Sequence, residues 1–122
     1  MPRLPSLIFL LLIGVLPGCE VISPDDGDVS ARVFGEALFV TNGTEARIYY
    51  FIVGRKAAEV IRWAPQLDED RSIARGRMTR LDRVDDVVGS EDEEEAYVHW
   101  WHAVEHDGER EPGEIHTFVI GL

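Results

Sequence analysis

Short runs of β-branched and aromatic residues, each followed by turn-forming residues, recur along this chain from residue 29 to residue 121. Residues 46–54 are apolar at both odd and even positions, which indicates a central strand covered on both faces. The pattern predicts an all-β fold, an immunoglobulin-like antiparallel β-sandwich of about six or seven strands, formed by residues 29–122. The other predicted strands are residues 29–41, 58–63, 72–81, 96–105 and 114–121.

Turn residues and one ambiguous segment refine this strand pattern. Asn42-Gly43 predicts a tight hairpin after the first strand, because both central positions of a type I′ turn need a positive φ. Residues 58–63 favour a strand that ends at Pro65, although the good helix formers at its start leave a helix as the competing prediction. The arginine-rich segment 72–81 is predicted as a weaker strand near a sheet edge, where charge discourages pairing with another sheet.

The N-terminal segment has the features of a cleaved secretory signal peptide. A single cation, Arg3, precedes an apolar run at residues 7–16. This run is too short to cross a bilayer, which needs about 20 residues. It does have the length of the apolar region of a signal peptide, about 7–15 residues.

A lipid anchor is expected where this apolar run ends. Leu16, Pro17, Gly18 and Cys19 resemble the lipobox of bacterial lipoproteins, in which Leu16 and Gly18 are recognised and the signal peptidase cuts before the cysteine. The resemblance implies acyl chains on Cys19, which hold the protein to the membrane of the bacterial cell envelope. In that family an aspartate after the cysteine signals inner-membrane retention, so Glu20 implies the outer membrane. The expected division of the chain is signal peptide 1–18, anchor and tether 19–28, and β-sandwich domain 29–122.

The domain itself is similar to small uncharacterised secreted bacterial proteins. The resemblance lies in TNGTEARIYYF, IRWAP and YVHWWH, which are residues 41–51, 61–65 and 97–102. No activity follows from it. Turns and core packing explain the matching residues, and either Trp63 or Trp100 is expected to fill the core.

The charge of the mature chain excludes one class of partner. Removing residues 1–18 removes Arg3 and no acidic residue, which leaves 11 basic side chains against 23 acidic ones, a formal charge of −12. This balance excludes nucleic acid, because phosphates are neutralised by lysine and arginine. It also opposes docking of the domain onto anionic lipids. Since Cys19 is the only cysteine, no disulfide is expected.

Four histidines near the C-terminal end are the candidate metal ligands. On a helix the spacing of His99, His102 and His106 would place them on one face. Tyr97 and the neighbouring tryptophans indicate a strand, on which His99 and His102 point to opposite faces. His102 and His106 would then lie about 13 Å apart. No metal is therefore expected. The alternative function is a periplasmic metal-binding protein that uses His99, His102, His106 or His116.

Adjacent tryptophans give the candidate interaction residues. Because side chains alternate along a strand, Trp100 and Trp101 place one indole on each face of the sheet. One is expected in the core, and the other is either exposed or covered by the loop at 82–95. An exposed indole would be a contact anchor for an envelope protein or a glycan. The alternative is that both layers of the fold pack both rings.

Two charged runs follow each other between residues 71 and 95. They predict solvated segments whose opposite charges partly neutralise each other. The functional alternatives are a docking surface for a protein partner and weak binding of divalent cations by the acidic run. The basic residues are Arg71, Arg75, Arg77, Arg80 and Arg83, and the acidic ones are Asp82, Asp85, Asp86, Glu91, Asp92, Glu93, Glu94 and Glu95.

The sequence carries no motif of a known enzyme class. GxSxG, HExxH and the P-loop are missing, and lipidation would consume the thiol of Cys19. We therefore expect no catalytic residue, no cofactor and no small-molecule substrate. The prediction is a lipid-anchored, non-enzymatic binding or structural module.

Overall fold

The computed structural model describes residues 29–89 and 92–122, and within them the chain forms eight β-strands. The predicted signal peptide and tether, with Leu16, Gly18 and Cys19, lie outside these ranges. No helix among the described residues is long and apolar enough to cross a membrane. The strands are β1 (Val29–Phe34), β2 (Ala37–Asn42), β3 (Ile48–Gly54), β4 (Ser72–Ile73), β5 (Met78–Asp82), β6 (Glu95–His106), β7 (Glu109–Pro112) and β8 (His116–Gly121).

The strands form two antiparallel sheets, so the predicted all-β class is confirmed. One sheet has three strands in the order β1-β2-β5, and the other has β4-β3-β6-β7 with β8 paired to the first half of β6. A single apolar core lies between them. The three-stranded sheet contributes Val29, Leu38, Val40 and Leu81, and the five-stranded sheet contributes Ile48, Tyr50, Ile52, Ile73, Ala96, Val98 and Trp100.

Strand β3 is the central strand that its sequence predicts. It lies between β4 and β6, and six of its seven residues are buried. Tyr50 pairs with Trp100 of β6 and points into the core, whereas Phe51 pairs with His99 on the opposite face. We call that opposite face, which points away from the three-stranded sheet, the outer face.

The predicted hairpin at Asn42-Gly43 is wrong. Strand β2 forms its hairpin with β1 through a turn at Gly35, whose φ is +57°, so the region 29–41 is two strands. Neither Asn42 nor Gly43 has a positive φ. The buried Asn42 amide instead donates to the carbonyls of Ala46 and Ile73, each at 2.9 Å. These bonds direct the chain from one sheet to the other.

The predicted strand at 58–63 is also wrong. A 3₁₀ turn, Ala57–Glu59, follows β3, and residues 61–68 have no regular secondary structure and pair with no described strand. The predicted alternation survives, because Ile61 and Trp63 are half-buried and Arg62 is exposed. We call residues 61–68 the strap, since this segment crosses the outer face rather than joining a sheet.

The later strands are confirmed with two changes. The segment 72–81 splits into β4 and β5, which lie at the edges of different sheets, in agreement with the predicted edge position. Strands β6 and β8 correspond to the predicted strands 96–105 and 114–121. The loop between them contains β7, which forms a hairpin with β6 through Asp107-Gly108 at φ values of 55° and 82°.

Candidate functional site: an aromatic cleft on the outer face

Aromatic side chains collect on the outer face because two adjacent strands carry them at alternate positions. Tyr49 and Phe51 of β3 lie opposite Trp101 and His99 of β6 in the ladder. Tyr97 continues the row on β6, with its ring centroid 6.0 Å from that of His99. Side chains that alternate along paired strands meet their cross-strand neighbours on the same face. The result is an aromatic surface across the middle of the five-stranded sheet.

The strap adds a further ring to this surface. Trp63 stacks on Phe51 with ring centroids 4.6 Å apart and an angle of 29° between the planes. Its centroid also lies 4.7 Å from that of His99 and 5.8 Å from that of Trp101. The indole Nε1 of Trp101 donates to the carbonyl of Gln66 at 2.9 Å, which ties the strap to the sheet.

A solvent-open cleft of about 200 Å³ lies beside the strap. Its lining combines aromatic residues of the sheet and the strap with a carboxylate, a guanidinium and an amide, which we call its rim groups. The lining residues are Tyr50, Phe51, Trp63, Ala64, Gln66, Asp68, Arg71 and Trp101.

Two of these polar groups, Gln66 and Asp68, belong to the strap, and Arg71 belongs to the turn that follows it. Asp68 caps the 3₁₀ turn Glu69–Arg71, where its Oδ1 accepts a hydrogen bond from the Asp70 N–H at 3.0 Å. The Arg71 side chain is exposed and has no hydrogen bond or ion pair to another described residue. The cleft therefore combines apolar lining residues with an acceptor on Asp68 and a donor on Arg71.

A polar contact fixes this turn against the sheet. The Tyr49 hydroxyl donates to Oε2 of Glu69 at 3.3 Å and accepts from the Arg110 guanidinium at 3.0 Å. Tyr49 is buried, with 1 % of its surface exposed. The hydroxyl thus joins the turn, β3 and β7, which keeps the rim of the cleft in place.

Both adjacent tryptophans are buried. Trp100 is 5 % exposed in the core, and Trp101 is 2 % exposed on the outer face. The structure therefore agrees with the alternative in which both rings are packed. Trp101 is covered by the strap and not by the loop 82–95.

Sequence reasoning missed Phe51 and Trp63 as site residues. The apolar run at 46–54 was the signal for them, since a strand buried on both faces needs a second cover.

The four histidines lie at separate places. His99 is on the outer face, where its Nδ1 lies 2.8 Å from the Thr117 hydroxyl, and burial lowers the pKa of its imidazole. His102 points to the opposite face, as its sequence predicts, and its Nε2 lies 3.0 Å from the Thr44 hydroxyl.

The other two histidines are on the inner side and at a hairpin. His116 stacks on Trp100 with centroids 4.3 Å apart, and the exposed His106 has its Nδ1 3.2 Å from Glu111. Within residues 29–89 and 92–122, no three histidine, cysteine, aspartate or glutamate side chains are placed to hold one metal ion.

The acidic run is only partly a solvated surface. Glu93 is 5 % exposed, which corrects the prediction for this residue. Its carboxylate accepts hydrogen bonds from the N–H groups of Lys56 and Ala57 at 3.0 and 2.9 Å, so it holds the loop against the end of β3. Glu95 pairs with Arg55. Among the described residues, the ion pairs found do not join the basic run to the acidic run.

No protein-family model, curated protein sequence or solved structure matches this chain. The function is therefore argued from the cleft itself.

Proposed function

We propose that this chain is a lipid-anchored, non-enzymatic binding module of the bacterial cell envelope, and that the aromatic cleft is its binding surface. The observation that carries the proposal is the position of Trp63. Its ring lies on the outer face beside a solvent-open space rather than inside the core between the sheets. Binding sites of small ligands are concave and mostly apolar, with few polar groups that fix orientation, and the cleft has this composition.

We also infer an immunoglobulin-like sandwich. The orders β1-β2-β5 and β4-β3-β6-β8 correspond to the A-B-E and C′-C-F-G strand neighbours of such domains. Trp100 takes the place of the core tryptophan, although on β6 rather than on the third strand. In this architecture the outer face of the C′-C-F-G sheet is available for recognition, which is the face that carries the cleft.

The anchor belongs to the proposal through Cys19. A tether of residues 19–28 spans at most about 35 Å when fully extended, so the cleft would meet partners close to the outer membrane. Replacement by Cys19→Ala is expected to leave the protein unprocessed or released from the membrane. Complete processing and unchanged partitioning into detergent would contradict the lipid anchor.

The binding role is tested by capture from the protein's own envelope. Ala64 is exposed and lines the cleft, so Ala64→Arg fills it from the strap without removing a core side chain. Val119 is 48 % exposed and pairs with Tyr97 on the same outer face, which makes Val119→Arg the matched control outside the cleft.

The expected result is one envelope component captured by the wild-type and control proteins and lost with Ala64→Arg. The same samples are analysed for metal. Stoichiometric zinc or copper without a captured component would contradict the proposal and favour the metal-binding alternative with its histidines.

A further inference from the structure

We infer that the cleft binds one uncharged pyranose ring of an envelope glycan. This inference rests on the proposed function, since it names the ligand of the same cleft. A pyranose presents an apolar face of C–H groups and a polar edge of hydroxyl groups. The cleft has both kinds of partner in its lining, the aromatic residues Phe51 and Trp63 and the polar residues Gln66, Asp68 and Arg71.

The size of the cleft favours a single ring. Its volume of about 200 Å³ is smaller than the roughly 300–1,000 Å³ of sites for drug-sized ligands. A six-membered ring with its substituents fits such a space, and a longer chain would continue into solvent through the open side. The occupant is therefore one unit of a larger molecule or a small free molecule.

The aromatic rings of Phe51 and Trp63 are held in place before a ligand binds. Trp63 stacks on Phe51 and contacts His99, and the Trp101–Gln66 hydrogen bond fixes the strap beside it. A ligand that meets such rings orders few side chains, which lowers the entropic cost of binding. The half-buried indole of Trp63 is large, flat and rigid, and such a surface matches the C–H face of a pyranose better than it matches a flexible aliphatic chain.

The rim decides between a pyranose and other single rings. Asp68 supplies an acceptor, Arg71 supplies a donor, and the exposed amide of Gln66 supplies both. Hydroxyl groups both donate and accept, so they satisfy this mixed set. A purely apolar ring would cover Asp68 and Arg71 without replacing their hydrogen bonds to water, which costs free energy.

Charge argues against an anionic ligand. The carboxylate of Asp68 offsets the guanidinium of Arg71 at the rim. The whole chain has a formal charge of −11, which repels anions from its surface. An uncharged ring with several hydroxyl groups is the ligand class that these features have in common.

The test uses the purified, lipidated full chain in detergent and follows its intrinsic tryptophan fluorescence. The probes are the uncharged trisaccharides cellotriose, maltotriose and N,N′,N″-triacetylchitotriose, with cyclohexanol as an apolar ring of similar width and inorganic phosphate as an anion. We expect saturable binding of at least one trisaccharide, with a dissociation constant on the order of 1 mM for one well-seated ring. Cyclohexanol and phosphate should bind at least tenfold more weakly.

Matched variants locate the site. Arg71→Ala and Ala64→Arg should each weaken trisaccharide binding at least tenfold, by loss of the donor and by filling of the cleft. Arg75→Ala removes an exposed arginine outside the cleft lining and should change binding less than twofold. Circular dichroism of each variant establishes that it is folded, and Arg71→Ala replaces an exposed side chain.

Each other outcome overturns the inference in a distinguishable way. Tighter binding of cyclohexanol or phosphate than of any trisaccharide would assign another ligand class to the cleft and leave the proposed function standing. Trisaccharide binding that Ala64→Arg and Arg71→Ala do not change would place the glycan elsewhere. No binding of any probe, together with envelope capture that Ala64→Arg leaves intact, would overturn both the inference and the proposed function.

Discussion

The two faces of the five-stranded sheet carry similar residues and have different covers. Trp100 and Trp101 are neighbours in the chain, and both are at least 95 % buried. The inner face packs against a complete sheet, and Trp100 lies in the core cluster that the two sheets share. The outer face is covered by the strap, which reaches Trp101 through ring contacts and one hydrogen bond.

This difference separates stability from recognition. A sheet that is hydrogen-bonded along its length resists local opening, whereas a segment held mainly by side chains lies at the less stable end of a protein. The inner face therefore provides the core. The outer face carries the cleft beside Trp63, which is the surface that we propose for ligand binding.

Replacing each tryptophan tests the comparison most strongly. Trp100→Ala should lower the free energy of unfolding by about 4 kcal/mol, because it leaves a cavity between two rigid sheets. Trp101→Ala should cost less, about 2–3 kcal/mol, since the strap can move into part of the space. Urea unfolding of both variants measures this. An equal or larger loss for Trp101→Ala would contradict the difference between the faces.

Asn42 tests the connection between the sheets that enclose the core. Asn42→Ala should lower the free energy of unfolding by about 3 kcal/mol, because the carbonyls of Ala46 and Ile73 lose a buried donor. Asn42→Asp keeps an acceptor for the Thr44 N–H but supplies no donor. Thermal or urea unfolding should show a similar loss for both variants. Near-wild-type stability of Asn42→Asp would show that the two donated bonds are unimportant.

Replacing Trp63 tests whether the strap can loosen without loosening the core between the sheets. Trp63→Ala should lower the free energy of unfolding by about 2 kcal/mol, because the ring is half-buried and stacks on Phe51. Hydrogen exchange of the Trp101 indole N–H should become faster, while the amide of Val98 in the inner layer should keep its protection. Equal acceleration at both sites would mean that the strap is part of the core.

His99 gives the smallest expected effect, a pH dependence confined to the outer face. Burial lowers the pKa of its imidazole, so the unfolded chain binds a proton more readily than the folded one. Stability should therefore fall as the pH drops from about 7.5 through 6.5, where the unfolded histidine titrates. His99→Asn should reduce this slope in urea midpoints measured across that range. An unchanged slope in His99→Asn would contradict the assignment of this pH dependence to the outer face.

Local sequence patterns predicted most of the strands. They did not predict the strap or the bond from Asn42 to Ile73, because both depend on contacts between residues far apart in the chain. Strands β3 and β6 follow from residue type and alternation, which depend on neighbours along the chain. The strap has the same alternation, but its segment finds no partner strand, and pairing is a property of the whole fold. At Asn42 the bond to Ile73, 31 residues away, overrides the local preference of Asn-Gly for a hairpin.

The candidate site shows the same limit. The pair Trp100-Trp101 predicted one ring on each face correctly, because strands alternate. That Trp63 covers Trp101 depends on a contact across 38 positions of the chain, which no local pattern carries. Glu93 lies in an acidic run that favours solvent, yet two N–H groups at the end of β3 hold it inside.

The most direct measurement is a two-dimensional NMR titration that follows the indole N–H signals of the three tryptophans. Trp63 and Trp101 line the cleft, and Trp100 reports on the core. If the cleft binds a glycan, addition of glycan fragments from the envelope should shift the Trp63 and Trp101 signals and leave the Trp100 signal unchanged. Three stationary signals, or a shift of Trp100 alone, would contradict this binding.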